Sequence, residues 1–305
     1  MYPFEFILVF VLAYAIVVAL GTIKLLHLLL YPQRVTYGTA LGKDWPTQPK
    51  ELKLNAIEHL YQLADGTQTP AWEIQGQKPD GPIIIITHGW SSGRYISLMK
   101  APLFTPYAAK IMIYDLRAHG DHTAKRSLLG TQETDDLLEL IQKLDTGQKR
   151  FILVGTSMGA GISIAAASRD FQAGHNRILG VFADGPYNDP LEPIKGQMRF
   201  RKMPVFPMVH LAYYHFKFWH NNLKDFHRAA HAKQIPVPLF VVHGDQDPIC
   251  PLDEAKLIVN AAPKGHLTLF PGGKHGGLAS LDLPLYQKTL ASFFQSTQKE
   301  QPHDQ

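Results

Sequence analysis

Gly155-Thr156-Ser157-Met158-Gly159 is the segment of this 305-residue chain whose residue types and spacing offer chemistry most directly. The β-rich run FILVG leads straight into it and the small-residue stretch AGISIAAAS follows, so Ser157 falls at the apex of a strand–turn–helix. Glycines two residues to either side let strand and helix approach more closely than side chains would allow. The serine is left on a strained turn, with its hydroxyl exposed and a helix N-terminus behind it. A serine hydroxyl is a weak nucleophile: it needs a base to take its proton, and the base needs an acid to orient it. Fifteen histidines make composition useless for choosing the base, so position decides. His275 stands in the flexible loop Gly272-Gly273-Lys274-His275-Gly276-Gly277, directly after the apolar run LTLFP. The acid is sought in Gly244-Asp245-Gln246-Asp247-Pro248, which follows LFVVH and leaves both Asp245 and Asp247 open. Asp184, at the end of ILGVFAD, is a third carboxylate, better suited to a buried turn than to catalysis.

Three such loops act together only if their strands end at one edge. Short, almost continuously apolar runs at 83–87, 111–115, 151–155, 178–184, 239–243 and 267–271 are expected to be parallel strands with both faces covered. Helical stretches at 133–143, 158–169, 251–262 and 285–296 lie between or after them. This alternation predicts an α/β fold with a doubly wound, mostly parallel sheet. In such a sheet the carboxyl ends of the strands line one edge, where sites are built. Upstream, LYQLADGTQTPAWEIQ reads as an antiparallel hairpin about Asp65-Gly66.

The chain order Ser157…Asp247…His275 resembles that of the α/β-hydrolase superfamily, over residues of about 55–296. Thr87-His88-Gly89-Trp90 looks like the family's His-Gly oxyanion turn, and Asp115-Leu116-Arg117-Ala118-His119-Gly120 like its Asp-x-Arg-x-x-Gly segment. The resemblance implies Ser157 as nucleophile, His275 as general base and Asp247 as its partner, since the family's spacing after His-Gly favours Asp247 over Asp245. It also implies an oxyanion hole formed by the backbone N–H groups of Trp90 and Met158. His88 and His243 are expected to brace turns, and Asp115 and Arg117 to fix loops beside the site through a charge-assisted pair.

The N-terminal region is different in kind. Residues 6–23 carry no charge, and the apolar character continues past Lys24 to about residue 30. That is long enough for a helix to cross a bilayer core. A transmembrane anchor over 5–30 is expected, with a linker over 31–50. A cleaved signal peptide, suggested by Ala13-Tyr14-Ala15, is opposed by the missing basic leader and by the continuing apolar run. Lys24, Arg34, Lys43, Lys50 and Lys53 all follow the segment, and the positive-inside rule then favours a single-pass protein with a cytoplasmic body. The hydrolase domain is expected over 51–296 and a polar tail over 297–305.

Residues 187–235 interrupt the strand–helix rhythm where the resembling family often carries a lid. Nine aromatics and an excess of Lys and Arg there suit either a small cap core with a solvated basic face or a substrate with an apolar chain and an anionic or membrane-proximal head. Tyr187, Phe216 and Trp219 are the candidate substrate-facing lid residues. His210, His215, His220, His227 and His231 share no single helical face, so no metal is expected.

A composition of 45% hydrophobic and 18% charged residues excludes a disordered or collagen-like chain. The single cysteine, Cys250, excludes an intrachain disulfide, and a net charge of +4 is too small to argue for nucleic-acid binding. The resulting expectation is a membrane-anchored serine hydrolase, carboxylesterase- or lipase-like, acting on a small-molecule or lipid ester without a cofactor. Acyl transfer, thioester cleavage and peptide cleavage use the same triad. An idle, membrane-anchored interaction protein would be expected to lack a triad member.

Overall fold

The computed structural model describes residues 3–145, 147, 150–219 and 226–298. The chain opens with one long helix, α1 (Pro3–Leu30), whose residues 4–20 are almost wholly exposed. By length and composition the span Phe4–Leu30 could cross a membrane. Only the last turns of α1 meet the body, where Leu25 and Leu29 are buried. The following segment does not act as a free tether: α2 (Tyr37–Leu41) buries Ala40, and the Arg34 guanidinium donates to the carbonyls of His122 and Ala124.

The hairpin lies at the expected place, β1 (Ala56–Gln62) and β2 (Gln68–Gln75). Gly66 at φ 81° makes the turn, and Asp65 Oδ1 accepts the Thr67 N–H at 2.9 Å. There follow β3 (Ile83–Thr87), α3 (Arg94–Lys100), β4 (Lys110–Tyr114), α4 (Thr131–Leu144), β5 (Phe151–Thr156), α5 (Met158–Gln172) and β6 (Ile178–Asp184). Three short helices come next, α6 (Leu191–Phe200), α7 (Met208–Trp219) and α8 (Arg228–Ala232). The chain then completes β7 (Leu239–Gly244), α9 (Leu252–Ala261), β8 (Gly265–Phe270), α10 (Leu278–Leu281) and α11 (Leu283–Gln298). Most of the expected polar tail lies outside the described residues.

The strands form one eight-stranded sheet in the order β1-β2-β4-β3-β5-β6-β7-β8. β1 and β2 run antiparallel and the other contacts are parallel, apart from β2 with β4. β3, β6 and β7 are buried along their whole length, because helices cover both faces. β8 differs from the sequence expectation. It is the edge strand, and His266 and Leu269 are exposed, since β8 has a strand neighbour only in β7. The two faces hold separate apolar cores, one around Leu153, Ile162 and Val181 and the other around Ile84, Phe182 and Phe293.

Asp115 and Arg117 do not pair with each other as expected. Asp115, with no exposed surface, accepts from the Arg94 N–H and its Nη1, both at 2.8 Å. Arg117 forms a fork on Asp136, at 3.0 and 2.7 Å, and reaches Asp65 at 2.7 Å. The reason is the turn after β4. Gly120, at φ 46°, lies so close over the Asp115 carboxylate that a Cβ there would collide with it, and the buried carboxylate is left facing α3. Replacing Arg94 with methionine would strand that charge. We expect a loss of about 3–5 kcal/mol in urea unfolding, and a loss below 1 kcal/mol would contradict this account.

Candidate active site

The site is assembled where the connections from β3 and β5 diverge, at the carboxyl edge of the sheet. β5 ends at Thr156, and Ser157 takes φ 54°, ψ −116°, a strained conformation for a residue with a side chain. Two glycines permit it. A Cβ on Gly155 would collide with the Gly159 carbonyl, and one on Gly159 with the carbonyls of Thr87 and His88. The elbow therefore packs directly on the turn after β3. The Ser157 N–H is held at 2.8 Å by the Asp184 carbonyl.

His275, on the loop after β8, bridges the other two residues. Its Nε2 lies 3.0 Å from Ser157 Oγ and its Nδ1 lies 2.7 Å from Asp247 Oδ2. The Asp247 side chain is 1% exposed. Its Oδ1 accepts the N–H groups of Ile249 and Cys250 at 2.8 and 2.9 Å. Burial alone would raise this carboxyl, but the bond from His275 and those two N–H groups hold it below its usual range. An ionised Asp247 fixes the proton of His275 on Nδ1 and leaves Nε2 free to accept from the serine.

Asp245 and Asp184 are occupied elsewhere. Asp245 is exposed and accepts the Gly272 N–H at 2.7 Å, bracing the loop that carries His275. Asp184 pairs with Lys100 Nζ at 2.7 Å, and the same ammonium donates to Thr156 Oγ1 at 2.8 Å. Lys100 thus ties β5 and β6 together beneath the elbow. Sequence reading missed it, because a lysine 84 positions from its partner carries no local signal.

The N–H groups of Trp90 and Met158 have no protein acceptor among the described residues. Gly89 sets the first of these against the elbow, since a Cβ there would sit 3.2 Å from the Thr156 carbonyl and 3.4 Å from Ser157 Cβ. Behind this turn His88 is fully enclosed, with Nδ1 donating to the Gly89 carbonyl at 2.7 Å and Nε2 accepting the Leu116 N–H at 2.9 Å. Burial pulls the His88 pKa down to about 4. The unfolded chain therefore takes up this proton first, and stability present above pH 6.5 is lost as pH falls toward 4. A shift of that size corresponds to about 3 kcal/mol. Asp115, pushed up to about 6 by burial, acts in the opposite sense, so the informative measurement is a difference. Urea unfolding of His88→Gln should depend less steeply on pH between 6.5 and 4.5 than that of the unchanged protein. Equal slopes would exclude His88 as a source of acid sensitivity.

Asp247, Cys250 and His275 also place a carboxylate oxygen, a thiol and a ring nitrogen within 4.8 Å of one another. The carboxylate and the imidazole already bond each other, and burial pushes the Cys250 thiol well up, so this donor set does not suit a metal ion.

A cavity of about 370 Å³ opens beside Ser157 and His275, with a mostly apolar lining. Tyr187, expected at the substrate, lines it. Phe216 does not. It is buried in a cluster with Leu25, Leu29 and Val209, because the inward face of α7 packs on α1 rather than on the cavity. The side chain of Trp219 lies outside the described residues, as does His220. Sequence reading missed Leu25, Leu28 and Leu29 of α1 and Ile194 and Met198 of α6, all of which face the cavity.

The model of the Alpha/beta hydrolase family matches residues 84–284. The chain is 25% identical over 222 residues to the uncharacterized protein YqkD of Bacillus subtilis, covering 69% of this chain and 70% of that one. The esterase Pf2001 of Pyrococcus furiosus superposes with a TM-score of 0.64 at 21% identity, over 81% of this chain and 93% of that one. A bacterial membrane phospholipase A superposes with a TM-score of 0.60 at 16% identity, over 98% of this chain and 99% of that one.

Proposed function

Because the chain belongs to the alpha/beta hydrolase family, we propose that it is a serine hydrolase cleaving carboxylic esters with an apolar acyl group, held at a membrane by α1. The observation that carries this reading is the pair of contacts on His275, 3.0 Å to Ser157 Oγ and 2.7 Å to Asp247 Oδ2. In the reaction Ser157 Oγ attacks the acyl carbon as its proton passes to His275 Nε2. The oxyanion forms beside the N–H groups of Trp90 and Met158, whose lack of an acceptor among the described residues suits that role. One such donor is typically worth about 10²–10³ in rate. His275 then returns the proton to the leaving alkoxide, and the acyl group stays on Ser157. Water, deprotonated by His275, releases the acid and restores the serine. Asp247 stays ionised throughout and stabilises the imidazolium.

The apolar lining supports an acyl chain over a peptide, whose backbone would leave polar groups unpaired there. Of the solved folds similar to this one, one is named an esterase and another a membrane phospholipase A. Ester chemistry in a membrane setting is also what this chain's own cavity and apolar helix support. The mechanism calls on no cofactor. The basic residues that follow α1 favour a cytoplasmic body.

Covalent labelling with a fluorophosphonate tests the proposal. The adduct should be found on Ser157 in a digest, and folded protein that is not labelled, or is labelled elsewhere, would exclude a serine mechanism at this elbow.

A further inference from the structure

The end of α1 is built into the site. The Trp90 indole N–H reaches the Leu29 carbonyl at 3.4 Å and the Ser91 hydroxyl donates to the Gln33 carbonyl at 3.0 Å. The residues that follow α1 are thus fastened to the turn that offers the Trp90 N–H. Leu25, Leu28 and Leu29 line the cavity together with Ile194 and Met198 of α6. A membrane helix serving only as a tether would have no reason to enter the reaction chamber.

The part of α1 that packs on the body adjoins a loop that lines the cavity. One close contact outside the cavity is at Gly21, where an added Cβ would collide with Met208 Sδ at the start of α7. Immediately before Met208 runs the loop from α6 to α7, and its Arg201 and Met203 line the cavity while exposed to solvent. Next to them in the chain Phe200 and Phe206 are 68% and 73% exposed, and Leu211, Tyr214 and Phe218 continue the apolar surface along α7. Exposed apolar surface of this kind marks a site of contact with a membrane or partner. From residue 193 to 224 the chain has six Lys or Arg and no Asp or Glu; Arg201 lines the cavity, and Arg199 and Lys202 are exposed close to it in the chain. An apolar tip with a basic rim fits an anionic bilayer surface.

Helix length points the same way. The uncharged, exposed part of α1, residues 6–20, spans about 22 Å at about 1.5 Å per residue. A hydrocarbon core is about 30 Å thick. A matching bilayer therefore extends past Leu20 to cover the contact between Gly21 and Met208.

We propose that α1 is both anchor and acyl-site wall: the cavity side formed by Arg201 and Met203, with Phe200 and Phe206 next to them in the chain, is its mouth and lies in the bilayer interface, and long-chain acyl lipid passes from the membrane along Leu25, Leu28 and Leu29 to Ser157. This rests on the anchored serine-hydrolase reading and adds the route and source of the substrate.

The test uses full-length protein in vesicles of phosphatidylcholine and phosphatidylglycerol. A bimane probe on Phe206→Cys should be quenched at least about threefold more by lipids brominated near the glycerol end of the acyl chain than a probe on Asp80→Cys. Asp80 is exposed in the turn before β3, at the opposite edge of the sheet. Separately, Leu28→Trp and Leu28→Gln should each weaken binding of cis-parinaric acid, a long-chain acyl probe, about tenfold. Equal quenching at the two positions in protein that pellets with the vesicles would overturn the membrane-facing mouth. Unchanged parinaric acid affinity in both Leu28 variants would overturn the wall. Neither readout needs catalysis, so loss of fluorophosphonate labelling, or failure to pellet with vesicles, reports separately on the underlying reading.

Discussion

Ser157→Ala is expected to lower kcat/KM for p-nitrophenyl esters by at least about 10⁴-fold and to abolish fluorophosphonate labelling, while thermal unfolding stays close to that of the unchanged protein. The magnitude follows from what remains. With no hydroxyl to acylate, only cavity binding and the two backbone N–H groups are left, and these supply a minor part of the acceleration in triad enzymes. The fold should tolerate the change because the strained φ of 54° is imposed by the packing of Gly155 and Gly159, and alanine brings no larger side chain to that turn. Kinetics with a chromogenic ester, alongside a melting curve, check both halves. A variant that keeps a tenth of the activity would show that another group is the nucleophile.

Asp247→Asn is expected to cost about 10³–10⁴-fold in kcat, with KM nearly unchanged. Its Oδ1 is pinned by the N–H groups of Ile249 and Cys250, so in asparagine the carbonyl oxygen must stay there and the amide NH₂ must face His275. An N–H donor in that position forces the imidazole proton onto Nε2, the atom that has to accept from Ser157. The histidine is then present in the wrong tautomer. Asp245→Asn is the control. Asp245 accepts a single N–H, from Gly272, at an exposed position, and the change should cost no more than a few-fold. Full activity in Asp247→Asn with loss in Asp245→Asn would reverse the assignment of the acid.

Much of this was legible along the chain because it is local. Six short apolar runs marked the strands, and all six are present; the glycines around Ser157 marked a turn that side chains would forbid. Loops that follow strands in a parallel sheet must meet at one edge, so the convergence of Ser157, Asp247 and His275 followed from topology. Asp115 and Arg117 show where local reading stops. Their types announced charge-assisted pairs, but their partners, Arg94 for one and Asp136 with Asp65 for the other, are set by the turn after β4, which lays Gly120 over Asp115. Phe216 was expected to face the substrate, but it is buried against α1 instead, and which surface covers it depends on where α1 lies.

By itself, then, the sequence determined the α/β-hydrolase sheet, the elbow and the order of the residues around it, and a helix of membrane-spanning length and composition. Only the tertiary structure decided that this helix enters the site, and that Leu25, Leu28 and Leu29 wall the cavity while Phe216 does not. The physical reason is that periodicity and turn chemistry act over a few residues and leave their mark in the order of residues. The face a uniformly apolar helix turns to its neighbour is set by close packing with segments distant in the chain, and a run of leucines carries no mark of which of them will be covered.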